Sequence, residues 1–217
     1  MEKTKYEIEL ITSDCLKILP TLKTNSFDFS FTDVPYNAGK DYGVYKDNLC
    51  ESEWLSGLTK VFMELKRITN NKFAILIGAK QLRKVWNLLP ESTLYIIYQR
   101  AFSFTPMYYG LLVTCKPKKV VPTVWDDVRL VSEGYFCKEE KFEHPGRTSD
   151  ELTRKILDVF TIEGDRVLDS FSGVGTTAVC CKELGRGCLG IELNREYNKI
   201  AKERLKKVVF VDDLMKF

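Results

Sequence analysis

Polar and hydrophobic positions alternate along FDFSFTD (27–33), where Phe27, Phe29 and Phe31 interleave with Asp28, Ser30 and Thr32. That period of two predicts a strand with unlike faces. KFAILIGA (72–79), TLYIIYQ (93–99), GLLVTC (110–115), DRVLDSF (165–171) and GCLGIEL (187–193) are short runs rich in β-branched and aromatic residues, bounded by turn formers, and predict further strands. Between them the period lengthens. Trp54, Leu58, Val61, Phe62 and Leu65 recur at spacings of three and four in ESEWLSGLTKVFMELKRI (51–68), and TSDELTRKILDVF (148–160) opens with a cap candidate, Ser149, ahead of Leu152, Ile156 and Val159. NREYNKIAKERLKK (194–207) continues the helical pattern. Strands alternating with helices predict an α/β domain with a mostly parallel sheet covered on both faces. GCLGIEL, the last strand, is the one that could pair antiparallel at an edge.

Composition adds boundaries. With 217 residues, 44% of them hydrophobic and 29% charged, the chain reads as one domain over residues 1–217. Seven cysteines with no CxxC pair read as free thiols of a reducing compartment, and a single histidine, His144, excludes a Cys/His zinc site; no metal is expected. No apolar run approaches the roughly 20 residues of a membrane helix, and the charges in MEKTKYEIEL do not suit a signal peptide. A cytoplasmic protein with no membrane partner is expected. A net charge of +3 permits nucleic-acid binding without demanding it. Two stretches lack sustained patterning, 37–51 and 116–148, and loops of such length are usually functional.

VLDSFSGVGTTA (167–178) is a strand, a glycine-rich turn and the start of a helix. Gly173, Gly175 and Ala178 satisfy the dinucleotide fingerprint, with Glu192 near the offset of a ribose-binding acid, so a nicotinamide oxidoreductase enters the comparison. Against it, Asp169 ends the strand before the loop, where a carboxylate repels a pyrophosphate and attracts a cation. Only about 40 residues follow the loop, too few for a conventional dinucleotide fold unless the chain is circularly permuted. S-adenosylmethionine matches instead: a cationic methionine end for Asp169, backbone approach over Gly173 and Gly175, and a ribose diol for Glu192.

Asp33-Val34-Pro35-Tyr36 ends the alternating strand, the position where open α/β sheets bind ligands. Pro35 stiffens the turn. The Asp33 carboxylate and the Val34 carbonyl can accept both hydrogens of an exocyclic amine, localising its lone pair for attack. Tyr36 offers a flat face to an extruded base.

These residues together resemble the DNA amino-methyltransferases, in the permuted order where the catalytic tetrapeptide precedes the cofactor loop. IELITSDCLKILPTLKTNSFDFSFTDVPYN resembles the opening stretch of that family, VLDSFSGVGTTA its D-P-F-x-G-S-G-T-T loop, and GCLGIELNREYNKIAKERL its closing strand and helix. The resemblance implies a Rossmann-like class I methyltransferase fold, a seven-stranded mostly parallel sheet with helices on both faces. It implies cofactor contacts from Asp14, Asp169, Phe171, Ser172, Gly173, Gly175, Thr176, Thr177 and Glu192, and methyl transfer to a flipped base of double-stranded DNA. The Asp-led tetrapeptide favours adenine N6; cytosine N4 is the alternative, and a weakly catalytic DNA-binding subunit another.

Two departures stand out. Val34 replaces the first proline of D-P-P-Y, which loses one ring and predicts a more mobile, less active turn. His144-Pro145-Gly146-Arg147-Thr148-Ser149 lacks the Lys and second Pro of H-P-x-x-K-P, leaving Arg147 to meet the methionine carboxylate. Target recognition is expected in a small insertion at about 101–143, through Lys116, Lys118, Lys119 and Arg129, with Asn37 beside the catalytic turn. So short a segment suggests a brief site, a homodimer or a partner subunit.

Overall fold

The computed structural model describes residues 6–99, 107–128 and 147–208. Arg129 and His144-Pro145-Gly146 lie outside the described residues. In chain order the elements are β1 (Ile8–Thr12), α1 (Cys15–Ile18), β2 (Phe29–Asp33), α2 (Glu51–Ile68), β3 (Phe73–Gly78), α3 (Ala79–Trp86), β4 (Thr93–Gln99), β5 (Met107–Val113), β6 (Val124–Trp125), α4 (Asp150–Phe160), β7 (Arg166–Asp169), α5 (Thr176–Glu183), β8 (Gly187–Glu192) and α6 (Arg195–Lys207).

One sheet of eight strands runs β1-β8-β7-β2-β3-β5-β4-β6. The expected seven become eight because the two-residue β6 pairs with β4. The antiparallel member is β5, which opposes both β3 and β4. GCLGIEL does not take that role: β8 lies inside the sheet, parallel to β1 and β7. β5 and β6 also fall within residues 101–143, so the sheet itself claims part of the expected insertion.

Apolar residues fill both sides of the sheet. On one, Phe29, Phe31, Leu76 and Leu111 pack with Leu152, Ile156 and Phe160 of α4; on the other, Ile75, Ile77 and Leu112 pack with Leu58, Phe62 and Leu65 of α2. The polar positions of β2 are therefore not a solvent face. Ser30 and Thr32 are fully buried, and such groups need partners. The Ser30 hydroxyl donates to the Leu168 carbonyl (2.7 Å), and Thr32 Oγ1 accepts from the Ser170 N–H (3.1 Å). The alternation of FDFSFTD thus stitches β2 to β7.

β2 is the strand at which the order turns. The chain leaves it through α2 toward β3, while β7, on its other side, leads through α5 toward β8. A crevice opens at the carboxyl ends of the strands at such a point. No helix among the described residues is long and apolar enough to cross a membrane.

Candidate active site

A cavity of about 830 Å³ lies over the carboxyl ends of β2, β7 and β8, lined among others by Asp14, Asp33, Tyr36, Asp169, Gly173 and Glu192. Asp33 and Asp169 end the neighbouring strands β2 and β7 and share this one space.

Asp33 is half-buried. Its Oδ1 accepts from the Tyr36 hydroxyl (2.6 Å) and its Oδ2 from the Thr148 hydroxyl (2.5 Å). Burial raises its pKa to about 6 against the pull of these two hydroxyls and of Lys40. Asp169 is buried more deeply. It accepts from the Phe171 N–H (3.1 Å) and Thr32 (3.4 Å), yet burial and the nearby Asp33 charge bring its pKa to about 7 against the hydrogen bond from Thr177. Neither acid has an ion-pair partner among the described residues.

The turn after Asp33 is held by packing. Val34 is 2% exposed, its side chain packed among core residues. Trp54 Nε1 donates to the Pro35 carbonyl (2.9 Å), pinning the next link. The side chain expected to loosen the turn is packed in the core. Tyr36 is not a bare stacking face: its hydroxyl is committed to Asp33, its ring lies so close to Gly78 that a Cβ there would stand 3.2 Å away, and it tilts against Tyr109 at 6.0 Å. Asn37, at φ 53°, donates its backbone N–H to Asp47 (2.8 Å) and its side-chain amide to the Leu49 carbonyl (2.9 Å). It fastens the 37–49 loop, a structural use for a residue expected to touch DNA.

Around the glycine turn, Gly173 and Gly175 adopt left-handed φ values of 51° and 79°, a region glycine enters without steric cost. Glu192 accepts the Gly173 N–H on Oε2 (2.8 Å) and the Asn194 N–H on Oε1 (2.7 Å). The Leu193 N–H also bonds this carboxylate, so a ribose diol would share it with the backbone. Burial raises the Glu192 pKa. Asp14 caps α1 through the Leu16 N–H (2.9 Å) while lining the cavity. Thr176 Oγ1 accepts from Arg204 (3.3 Å), and Thr177 bonds Asp169, so these two threonines serve the frame of the site. Phe171 and Ser172 line the cavity.

The lysines expected to hold DNA stand elsewhere. β5 runs against β3, pairing Gly78 with Tyr109 and Ala74 with Val113, so the chain leaves β5 at the end of the sheet where β3 begins. Lys116, Lys118 and Lys119 follow there, opposite the Asp33 end. Lys118 N–H donates to the Val159 carbonyl (2.7 Å), and Lys119 pairs with Asp158 (2.6 Å).

Three residues that sequence reasoning overlooked complete the site. Thr148 bonds Asp33 across 115 positions, with no local signal to betray it. Lys40 enters the cavity from the unpatterned loop. Trp54 reads as a core residue, although an indole N–H needs an acceptor.

The polar lining suits a zwitterionic, ribose-bearing cofactor. Arg147 Nε, Ser170 Oγ and Ser172 Oγ are buried without a hydrogen-bond partner among the described residues, and all three residues line the cavity. They are donors for a carboxylate and hydroxyls, while Asp169 and Asp33 supply negative charge for a cation.

Fold and site together define a nucleotide-cofactor α/β transferase whose paired acids face one pocket. Residues 79–203 match the family described as DNA methylase, and the chain belongs to that family. It is similar to the type II methyltransferase M.HpaI of Haemophilus parainfluenzae, 29% identical over 230 residues that cover 90% of this chain and 73% of that one. The DNA adenine methyltransferase YhdJ of Escherichia coli (strain K12) is 24% identical over 257 residues, covering 94% of this chain and 85% of its own. Among solved structures, the cytosine-N4-specific PvuII DNA methyltransferase superposes with a TM-score of 0.71 at 14% identity, covering 98% of this chain and 93% of the other. The fold is the class I methyltransferase fold, and the protein is a DNA methyltransferase.

Proposed function

We propose that this DNA methyltransferase moves the methyl group of S-adenosylmethionine to the N6 amino group of an adenine flipped out of double-stranded DNA. The observation that carries the reading is the shared cavity of Asp33 and Asp169. When bound, S-adenosylmethionine supplies an electrophilic methyl group on a cationic sulfur. Asp169, Gly173, Glu192 and Asp14 bind and orient it, with Arg147 and Ser170 as donors to its carboxylate. Asp33, with a pKa of about 6, is mostly ionised at neutral pH and accepts one N–H of the target amine; the Val34 carbonyl is the second acceptor. As the nitrogen gains its methyl it sheds a proton, and Asp33 is a base tuned near the working pH to take it.

Adenine is favoured by the Asp-led tetrapeptide and by the similarity to YhdJ; cytosine N4 is the second reading, favoured by the similarity to the PvuII enzyme. A cytoplasmic setting agrees with the six free cysteines among the described residues. Purified protein incubated with plasmid DNA and methyl-labelled cofactor is expected to yield labelled N6-methyladenine on nucleoside analysis. Labelled N4-methylcytosine would replace the adenine assignment, and no label in any DNA would end the methyltransferase reading. Asp33→Ala is expected to abolish transfer while calorimetry still detects cofactor binding.

A further inference from the structure

The segment entering α4 is fixed by its own bonds before it meets the catalytic turn. Ser149 caps the helix, accepting the Leu152 N–H (3.1 Å) on its hydroxyl and the Thr153 hydroxyl (2.9 Å) on its carbonyl. On either side of the cap, Arg147 pairs with Asp150 (2.6 Å), which also holds Arg204 (3.1 Å). Thr148 lies between these anchors, so its position is set independently of the cavity. From there it donates to Asp33 Oδ2 at 2.5 Å, while Tyr36 donates to Oδ1 at 2.6 Å.

The torsion that rotates an aspartate carboxylate is broad when nothing holds it. Two hydroxyls from separate segments, one on each oxygen, remove that freedom and leave each oxygen a lone pair for a substrate. We propose that Thr148 is a positioning residue of methyl transfer, whose hydroxyl clamps the second oxygen of Asp33 so that the carboxylate meets the target amine in one orientation. This rests on the methyltransferase reading of the site.

Thr148 also bears on the charge of Asp33. The groups facing that carboxylate are Tyr36 and Thr148 as donors, Lys40 as the cation, Tyr42 on the 37–49 loop, Tyr109 on β5, and the second acid, Asp169, on β7. Burial favours the protonated acid, and the hydroxyls and Lys40 oppose it. Removing one hydroxyl shifts the balance toward the protonated form.

The test compares Thr148→Val and Thr148→Ser with wild type in calorimetry with S-adenosylmethionine, single-turnover methylation across pH, and ¹³C NMR titration of the Asp33 carboxyl, assigned with Asp33→Asn. For Thr148→Val the cofactor Kd is expected to stay within about twofold, and the rate at neutral pH to fall about 10- to 100-fold, as for a lost bond to a charged group. The acid limb of the rate and the Asp33 midpoint move together to higher pH. Thr148→Ser keeps the hydroxyl and is expected to restore both. Thr148→Ala makes the same comparison where valine does not fold. An unchanged rate, or a reduced rate with an unmoved Asp33 midpoint, would overturn the proposal. The midpoint needs no turnover, so it judges Thr148 even if wild type methylates no DNA, a result that would instead end the methyltransferase reading.

Discussion

Replacing Gly175 by alanine tests whether the glycine turn is shaped by close approach of α6. Gly175 caps α5 at φ 79°. A methyl group built there would stand 2.6 Å from Ala201 Cβ and 3.2 Å from its Cα. Ala201 is fully buried, and α6 is held against the turn by Arg204, which donates to the Val174 carbonyl (2.8 Å), so the helix has little room to retreat. A left-handed alanine costs about 1–2 kcal/mol, and overpacking a tight contact about 1–3 kcal/mol. Gly175→Ala is therefore expected to lose about 2–5 kcal/mol, which for a protein of this size lowers Tm by about 4–20 °C. Ala201→Gly costs about 1 kcal/mol alone as a helix glycine, but in the Gly175→Ala background it removes the nearest contact and leaves only the backbone strain. Urea and thermal unfolding of the four proteins should give a favourable coupling of about 1–3 kcal/mol. Additive losses, or a single variant as stable as wild type, would refute the idea that α6 demands the glycine.

Other expectations follow from the same geometry. Because burial already immobilises Val34, Val34→Pro should leave the methylation rate within about threefold of wild type, the modest effect of a ring added where mobility is already low; a large gain in single-turnover rate would show the turn to be loose. Triple replacement of Lys116, Lys118 and Lys119 by alanine should leave the salt dependence of duplex affinity unaltered, whereas three lost phosphate contacts would flatten its slope by about 3. Methyl transfer should decline as pH falls through about 6, where Asp33 protonates, and cofactor affinity as pH falls through about 7, where Asp169 does; profiles flat down to pH 5 would contradict both assignments. Both folded pKa values lie above the ordinary carboxylate value, so the native state binds protons the unfolded chain does not, and these groups make stability fall as pH rises from about 4 to about 7. Asp169→Asn should accordingly raise Tm more at pH 8 than at pH 4, read by calorimetry.

Local chemistry was the legible part of this chain. The strands at 93–99 and 187–192 and the helix at 51–68 follow from short-range pattern alone, and the acids at 33 and 169 stand at strand ends because strand and turn signals meet there. What escaped is relational. Alternation in FDFSFTD marks two faces but cannot say that both are covered, and the covered polar face is what joins Ser30 to Leu168. Lys116, Lys118 and Lys119 read as a DNA surface until the antiparallel course of β5 carries them to the far end of the sheet. The direction of β5 is set by its antiparallel pairing between β3 and β4, which no residue of GLLVTC encodes. Thr148 and Asp33 are joined only by the permuted topology that brings α4 beside β2.

The treatment of buried acids separates structure from function within this one chain. Asp150 is also partly buried, and burial pushes its pKa up, yet Arg147, Arg204 and Arg154 together outweigh that push and hold it below the ordinary value. This is how a fold neutralises a carboxylate it needs only for architecture. Asp33 and Asp169 receive hydroxyl and backbone donors but no paired cation among the described residues, and both sit well above the ordinary value. Burying two like charges without ion pairs costs stability. Arginines were available to the same region, as Arg147 beside Thr148 demonstrates. In the function proposed above, the missing positive charge would come from what binds: the cationic cofactor for Asp169, and for Asp33 an amine that turns acidic as it gains a methyl group.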